Sequence, residues 1–212
     1  MSAKNLLVGV GAIAAIVVAG VAIYRNTRAP KDEVKLSVQE AVGEALAEET
    51  IKATGAQGKI VIITLEEGQS PELDQYVAAF KDRIYDTPVK IMRTDHISAE
   101  KTGKYGPGSG MSGKRFVRIV QKYPNADAIV SFVGTPDGED KELKELKPPV
   151  PKFIAFSRAP DDIDEMFEDK LLYAAVVPRF EFPAPGPEKS KTKQDLFQKH
   201  YQVVRADTNK PK

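Results

Sequence analysis

From Gly58 the chain runs Lys-Ile-Val-Ile-Ile-Thr-Leu to Leu65, and Glu66-Glu67-Gly68 stops the apolar run. A β-branched run without polar alternation predicts a strand covered on both faces, as in a parallel sheet packed between helices. Upstream, Val34, Val38, Ala41, Val42, Ala45 and Leu46 recur at helical spacing, with Glu40, Glu44, Glu48 and Glu49 elsewhere on the circle. That pattern predicts an amphipathic helix ending near Ala53, with Gly55 as its stop. Downstream, Ser70-Pro71-Glu72 places a cap, a proline at the first helical position and an acid in the first turn. Leu73, Tyr76, Val77, Phe80 and Ile84 form the apolar face of that second helix.

The alternation continues. Val89–Met92 predicts a short second strand, followed by a long connection from Asp95 to Gly113 with five glycines between Gly103 and Gly113. Phe116, Val117, Ile119 and Val120 predict a helix ending at Tyr123-Pro124, and Ala126–Val133 a third strand. Asp140–Leu146 reads as a short helix, Phe153–Phe156 as a fourth strand, Asp161–Asp169 as a helix and Leu171–Val177 as a fifth strand. Strands alternating with helices imply βαβ units with right-handed crossovers. The expected fold is a doubly wound parallel α/β sandwich of Rossmann-like, flavodoxin type.

Two terminal segments break the alternation. Leu6–Ile23 is eighteen uncharged residues between Lys4 and Tyr24-Arg25, about 27 Å as a helix and close to a bilayer's hydrocarbon thickness. It predicts a single membrane-spanning anchor, with Gly11, Ala15 and Ala19 along one smooth face suited to another transmembrane helix. A cleaved signal peptide with Gly20-Val21-Ala22 at its end is the rival reading. Arg25, Arg28, Lys31 and Lys35 outnumber Lys4, which favours a cytoplasmic domain. After Pro178 the chain turns Pro- and Lys-rich, apart from the apolar island Leu196–Val204. That island is expected to dock on its own domain or on a partner, with Phe197 and Tyr201 as contact residues. The expected division is an anchor and linker over 1–30, an α/β domain over 31–182, and a tail over 183–212 that docks through 194–204.

The 212 residues carry 31 Lys and Arg against 30 Asp and Glu, a net charge of +1, so no global field favours nucleic acid. The absence of cysteine excludes disulfides and thiolate chemistry. Gly108-Ser109-Gly110-Met111-Ser112-Gly113-Lys114 has the G-x-x-x-x-G-K spacing of a phosphate loop, but Arg115 stands where magnesium binding needs Ser or Thr. Gly110, Gly113 and Lys114 are nonetheless candidate anion contacts at a helix start. Asp95-His96 follows the second strand, His96 reading as a surface histidine. No Ser-His-Asp spacing or G-x-S-x-G elbow is present, so no enzyme, cofactor or metal is expected. Ligands of such sheets bind at the strand exits, which makes Glu66, Ser70, Asp95, Thr135, Asp137, Ser157 and Arg158 the candidate ligand contacts.

The helix Val42–Leu46 leading into Gly58–Ile63, then Phe80-Lys81-Asp82-Arg83-Ile84, Tyr123–Val130, Phe153–Phe156 and Ile163–Val177, resembles one family in succession. It is similar to the C-terminal lobe of type I periplasmic sugar-binding proteins over about residues 36–178, with the second lobe missing. The resemblance implies the half-fold and an extracytoplasmic location, against the charge asymmetry. Ser157 stands where that lobe commonly has Asp, and Gly134–Leu146 replaces its Ala-x-Gly-Ala helix, so sugar binding is not carried over. Three functions remain in play. The first is a non-catalytic, membrane-anchored accessory subunit docking on another membrane protein. The second is a solute-binding or sensor half-module for a sugar or small metabolite, open to homo-oligomerisation. The third is a divergent nucleotide-binding enzyme using Gly108–Lys114.

Overall fold

The computed structural model describes residues 37–98, 110–137, 141–158, 163–179 and 192–206. The predicted anchor, with Gly11, Ala15 and Ala19, lies outside the described residues, as do Gly108 and Ser109 of the glycine loop. Among the described residues no helix is long and apolar enough to cross a membrane.

Helix α1, Val38–Thr54, starts at Ser37, whose hydroxyl accepts from the Glu40 N–H, and ends at Gly55. Strand β1, Lys59–Leu65, is buried at every position except Lys59, as its unbroken aliphatic run requires. Helix α2, Pro71–Tyr85, carries the expected Ser70 cap and first-turn proline. It packs closely on α1. A Cβ on Gly43 would lie 2.3 Å from the Tyr76 carbonyl oxygen, so only glycine lets the two backbones approach this far.

Strand β2, Lys90–Ile97, extends five residues beyond the expected Met92. It is the sheet's edge, and an edge strand needs no apolar residue on its open side, so Arg93–His96 gave no strand pattern. Helix α3, Gly113–Lys122, leads to β3, Ala128–Ser131, and the short α4, Lys141–Lys144. Strand β4, Lys152–Phe156, helix α5, Ile163–Glu168, and strand β5, Leu172–Pro178, complete the alternation.

The five strands run parallel in the order β2-β1-β3-β4-β5, the flavodoxin-type order. Reversal of direction at β2 puts α2 on one face and α3, α4 and α5 on the other. The sheet is not wholly parallel, however. The apolar island forms helix α6, Lys193–His200, and strand β6, Tyr201–Arg205, which pairs antiparallel with β5. Phe197 and Tyr201, expected as partner contacts, therefore pack against this domain's own core. An antiparallel edge strand on a parallel sheet leaves no local periodic signature, because its partner is fixed by the sheet and not by neighbouring sequence.

Buried Ile60, Val61, Ile62 and Ile63 form the centre of the core, with Phe80, Phe132, Phe153 and Phe156 around them. Edge-on aromatic pairs tie the layers to the sheet: Phe80 with Phe132, and Phe116 with Phe153.

Candidate functional site

The carboxyl ends of the strands form one edge of the sheet, and the two sides of that edge differ. On the β4/β5 side the polar groups satisfy one another. Glu72 accepts a hydrogen bond from the Tyr76 hydroxyl at 2.5 Å and is paired with the Arg158 guanidinium. The Tyr76 and Tyr201 hydroxyls lie 3.4 Å apart. The Tyr76 ring packs edge-on against Phe156 at 5.0 Å, and the Arg158 guanidinium lies over the Phe156 ring, 5.9 Å from its centroid. Burial first, then the bonds with Glu72 and Tyr201, push the Tyr76 hydroxyl far above the usual tyrosine range. It stays a donor at any physiological pH.

On the β1/β2 side two buried groups are not satisfied. Among the described residues, the two buried side-chain polar atoms without a hydrogen-bond partner are Thr64 Oγ1 and Arg115 Nε. Both flank one point. Thr64 is in register with His96 across the β1–β2 pair, and Arg115 donates from Nη2 to the His96 carbonyl at 3.1 Å. Thr64, only 4% exposed, is the penultimate residue of β1. A cavity of about 230 Å³ opens beside it, lined by Thr64, Glu67, Asp74, Val77, Lys81 and His96 among others. Asp74, Val77 and Lys81 fall on one stripe of α2 at helical spacing. The Asp74 carboxylate accepts from the Gly68 N–H at 3.0 Å, which fixes the turn between β1 and α2. His96 Nδ1 lies 3.0 Å from the Leu65 carbonyl, which sets the ring beside the cavity.

A water occupies about 30 Å³, so the cavity has room for roughly eight waters, and its volume lies below the range typical for drug-sized ligands. Its lining offers two carboxylates that accept, an ammonium that donates and the His96 ring, with the Thr64 hydroxyl covered just behind them. That donor and acceptor mixture suits a small neutral solute rich in hydroxyls better than an ion. No group of three or more metal-ligating side chains that could hold a metal occurs among the described residues.

The residues singled out from sequence are spread along the edge and do not converge on one cavity. Glu66 is exposed and accepts from Gln69 Nε2. Ser70 is spent on capping α2. Asp95 accepts from Lys122 Nζ at 2.9 Å and the Tyr123 hydroxyl at 3.2 Å, and the Asp95 bond holds the Lys122 ammonium above its ordinary range. Thr135 is buried with its carbonyl accepting from the Met111 N–H, while Asp137 is exposed with its N–H bonded to the Met111 carbonyl. Ser157 is 1% exposed, and Arg158 belongs to the Glu72 cluster.

The glycine loop does different work from a phosphate cradle. The Gly110 N–H donates to the Val133 carbonyl at 2.7 Å, and a Cβ there would meet the Thr135 carbonyl oxygen at 2.4 Å. With φ of 124°, Gly110 lays the segment against the β3 exit. At the start of α3, Ser112 Oγ takes the Arg115 N–H, and its carbonyl takes those of Arg115 and Phe116. Gly113 is buried and Lys114 exposed. The helix-start donors an anion would use are thus largely occupied.

Sequence reasoning missed Thr64, Asp74 and Lys81. Thr64 sits in an aliphatic strand and read as core. A hydroxyl placed just before the Glu66-Glu67 exit was the available signal.

No protein-family model and no curated relative matches the chain. Solved structures share its fold. AraP, an arabinose-binding protein from Geobacillus stearothermophilus, matches at 15% identity over 80% of this chain and 61% of its own, with a TM-score of 0.53. A sugar ABC transporter sugar-binding protein from Bacillus halodurans matches at 12% over 80% of this chain and 62% of its own, with a TM-score of 0.54. GanP, a glucose-galactose-binding protein from Geobacillus stearothermophilus, matches at 11% over 81% and 61%, with a TM-score of 0.53. The chain spans about three-fifths of the length of these proteins. It has the periplasmic-binding-protein-like fold, at the scale of a single lobe.

Proposed function

We propose that this chain is a non-catalytic solute-recognition module that binds a small hydroxyl-rich solute of the sugar class in the β1/β2-exit cavity. The observation that carries the reading is the unpartnered Thr64 hydroxyl, which lies just beneath the wall of a cavity of mixed polar and apolar lining, beside the carboxyl ends of the strands, the side of the sheet on which folds of this kind place ligands. Leaving a buried hydroxyl unpaired costs about 1–3 kcal/mol, and a ligand hydroxyl would recover that cost. The shared fold with sugar-binding proteins supports this role more than docking on a membrane complex, since the apolar island that suggested docking is used by the domain's own sheet. In this proposal Leu6–Ile23 holds the module to the bilayer, with the domain on the extracytoplasmic side.

A thermal-shift screen of the full chain against pentoses, hexoses and their polyols tests the reading. At about a hundred times its dissociation constant a ligand adds roughly 2.7 kcal/mol, a midpoint rise of several degrees. Arg158→Ala is expected to keep that shift, because Arg158 lies on the satisfied side of the edge. Silence across the panel, or loss of the shift in Arg158→Ala alone, would sink it.

A further inference from the structure

At the opposite end of the sheet, where β4 and β5 begin, lies a second cavity of about 360 Å³. Its walls include Phe167, Leu172 and Tyr173, and its charged groups are Lys152, Lys170 and Arg205. No carboxylate is among the described residues that line it. The volume falls within the range of pockets for small organic ligands, which are mostly apolar with a few placed polar or charged groups; here those groups are all cationic.

The three cations differ in how they are held. Lys152 Nζ donates to the Ala53 carbonyl at the end of α1 and sits 5.2 Å from the Tyr173 ring centroid. Arg205 donates twice to Glu49, at 2.6 Å each. Lys170 is exposed, and none of the ion pairs among the described residues includes it.

Lys170 also carries a backbone oddity. It has φ of 59°, the one non-glycine residue with positive φ among the described residues. Its N–H donates to the Phe167 carbonyl and the next N–H, of Leu171, to the Met166 carbonyl, the bonding that closes a helix with a left-handed residue. Glycine is the usual occupant of such a position because a Cβ there is strained. A lysine stands there instead, and it lines the cavity.

We infer that this cavity is a binding site for an organic anion with an apolar body, an aryl or short acyl carboxylate. The carboxylate meets the Lys170 ammonium and the apolar body lies along Phe167, Leu172 and Tyr173. The site is separate from the β1/β2-exit cavity, and neither depends on the other.

The test uses 2-naphthoate and its neutral isostere 2-naphthamide, titrated into the full chain and followed by ligand-observed NMR. Naphthoate should bind saturably and about tenfold more tightly than naphthamide, the size of one charge-assisted contact. Lys170→Gly should remove most of that preference while raising the thermal midpoint by about 2–4 °C, since glycine relieves the left-handed strain. Lys170→Gln, which keeps the stem and loses the charge, should lose the preference as well, and Lys170→Arg should retain it. Equal binding of the two probes, unchanged naphthoate affinity in Lys170→Gly and Lys170→Gln, or no saturable binding would each overturn the assignment. Sugar binding at the other cavity is scored separately and leaves this result unaffected.

Discussion

The two sides of the strand-exit edge are built from similar materials and end in opposite states. On the β4/β5 side, Glu72, Tyr76, Arg158 and Tyr201 answer one another's hydrogen bonds, and α6 with β6 covers the aromatic cluster beneath. On the β1/β2 side, Thr64 and Arg115 each leave a buried polar atom without a partner, and a cavity stands open beside Thr64. Buried polar groups in folded proteins are nearly always paired. A satisfied cluster therefore reads as structure, and an unsatisfied one beside a cavity reads as a place for something else to bind.

The comparison can be broken most forcefully on its satisfied side. Tyr201 packs against Phe156 and Phe197, with ring centroids 6.1 Å away in each case. Tyr201→Ala should cost about 2–3 kcal/mol by urea denaturation, below the cost of truncating a fully buried aromatic because the residue is half-buried. Ligand affinity at the β1/β2 exit should not change.

Next in size is the anchor of the same arm. Glu49 is 2% exposed and receives hydrogen bonds from Arg205 and Lys52. Burial pushes its carboxyl up, but the bonds from Arg205 and Lys52 outweigh burial and bring it below its ordinary value of 4.5. A carboxyl lowered by folding contributes stability above its unfolded value, and that contribution is lost as pH falls through the folded one. Glu49→Gln should cost about 2 kcal/mol at neutral pH, less than a fully buried pair because Arg205 reaches water. Below about pH 4.5 the wild-type chain should lose stability more steeply than Glu49→Gln, which a pair of denaturation series across pH would show.

Tyr76→Phe removes one hydroxyl from the satisfied cluster while leaving Glu72 its Arg158 partner, and should cost about 1 kcal/mol. The smallest effect has the opposite sign. Thr64→Val keeps the shape and deletes the unpaired hydroxyl, so it should stabilise the unliganded chain by about 0.5–1 kcal/mol. A loss of stability in Thr64→Val would mean that the hydroxyl has a partner after all, and the two sides would cease to differ.

How far these features were legible in sequence follows from how local their causes are. Strand β1 and the capped start of α2 announce themselves, because an unbroken aliphatic run and Ser70-Pro71 act within a few residues. The polar half of β2 does not, since Arg93–His96 sit on an open edge that selects no apolar pattern. The island 196–204 was visibly too apolar for a free tail, yet its partner is β5, some thirty residues upstream, and only the folded sheet brings them together. The strand-exit edge was named as the candidate site from topology. Its two sides could not be told apart, because whether Arg158 or Thr64 finds a partner is decided across the fold and not by neighbouring sequence.

The account turns on Thr64, and the most direct measurement is a calorimetric titration of wild-type and Thr64→Val chains with the sugar that gives the largest thermal shift. The wild type should show one saturable site, and the variant, itself more stable, should bind at least tenfold more weakly. Equal affinity in the two chains would contradict it, placing the ligand elsewhere and leaving the open hydroxyl without a role.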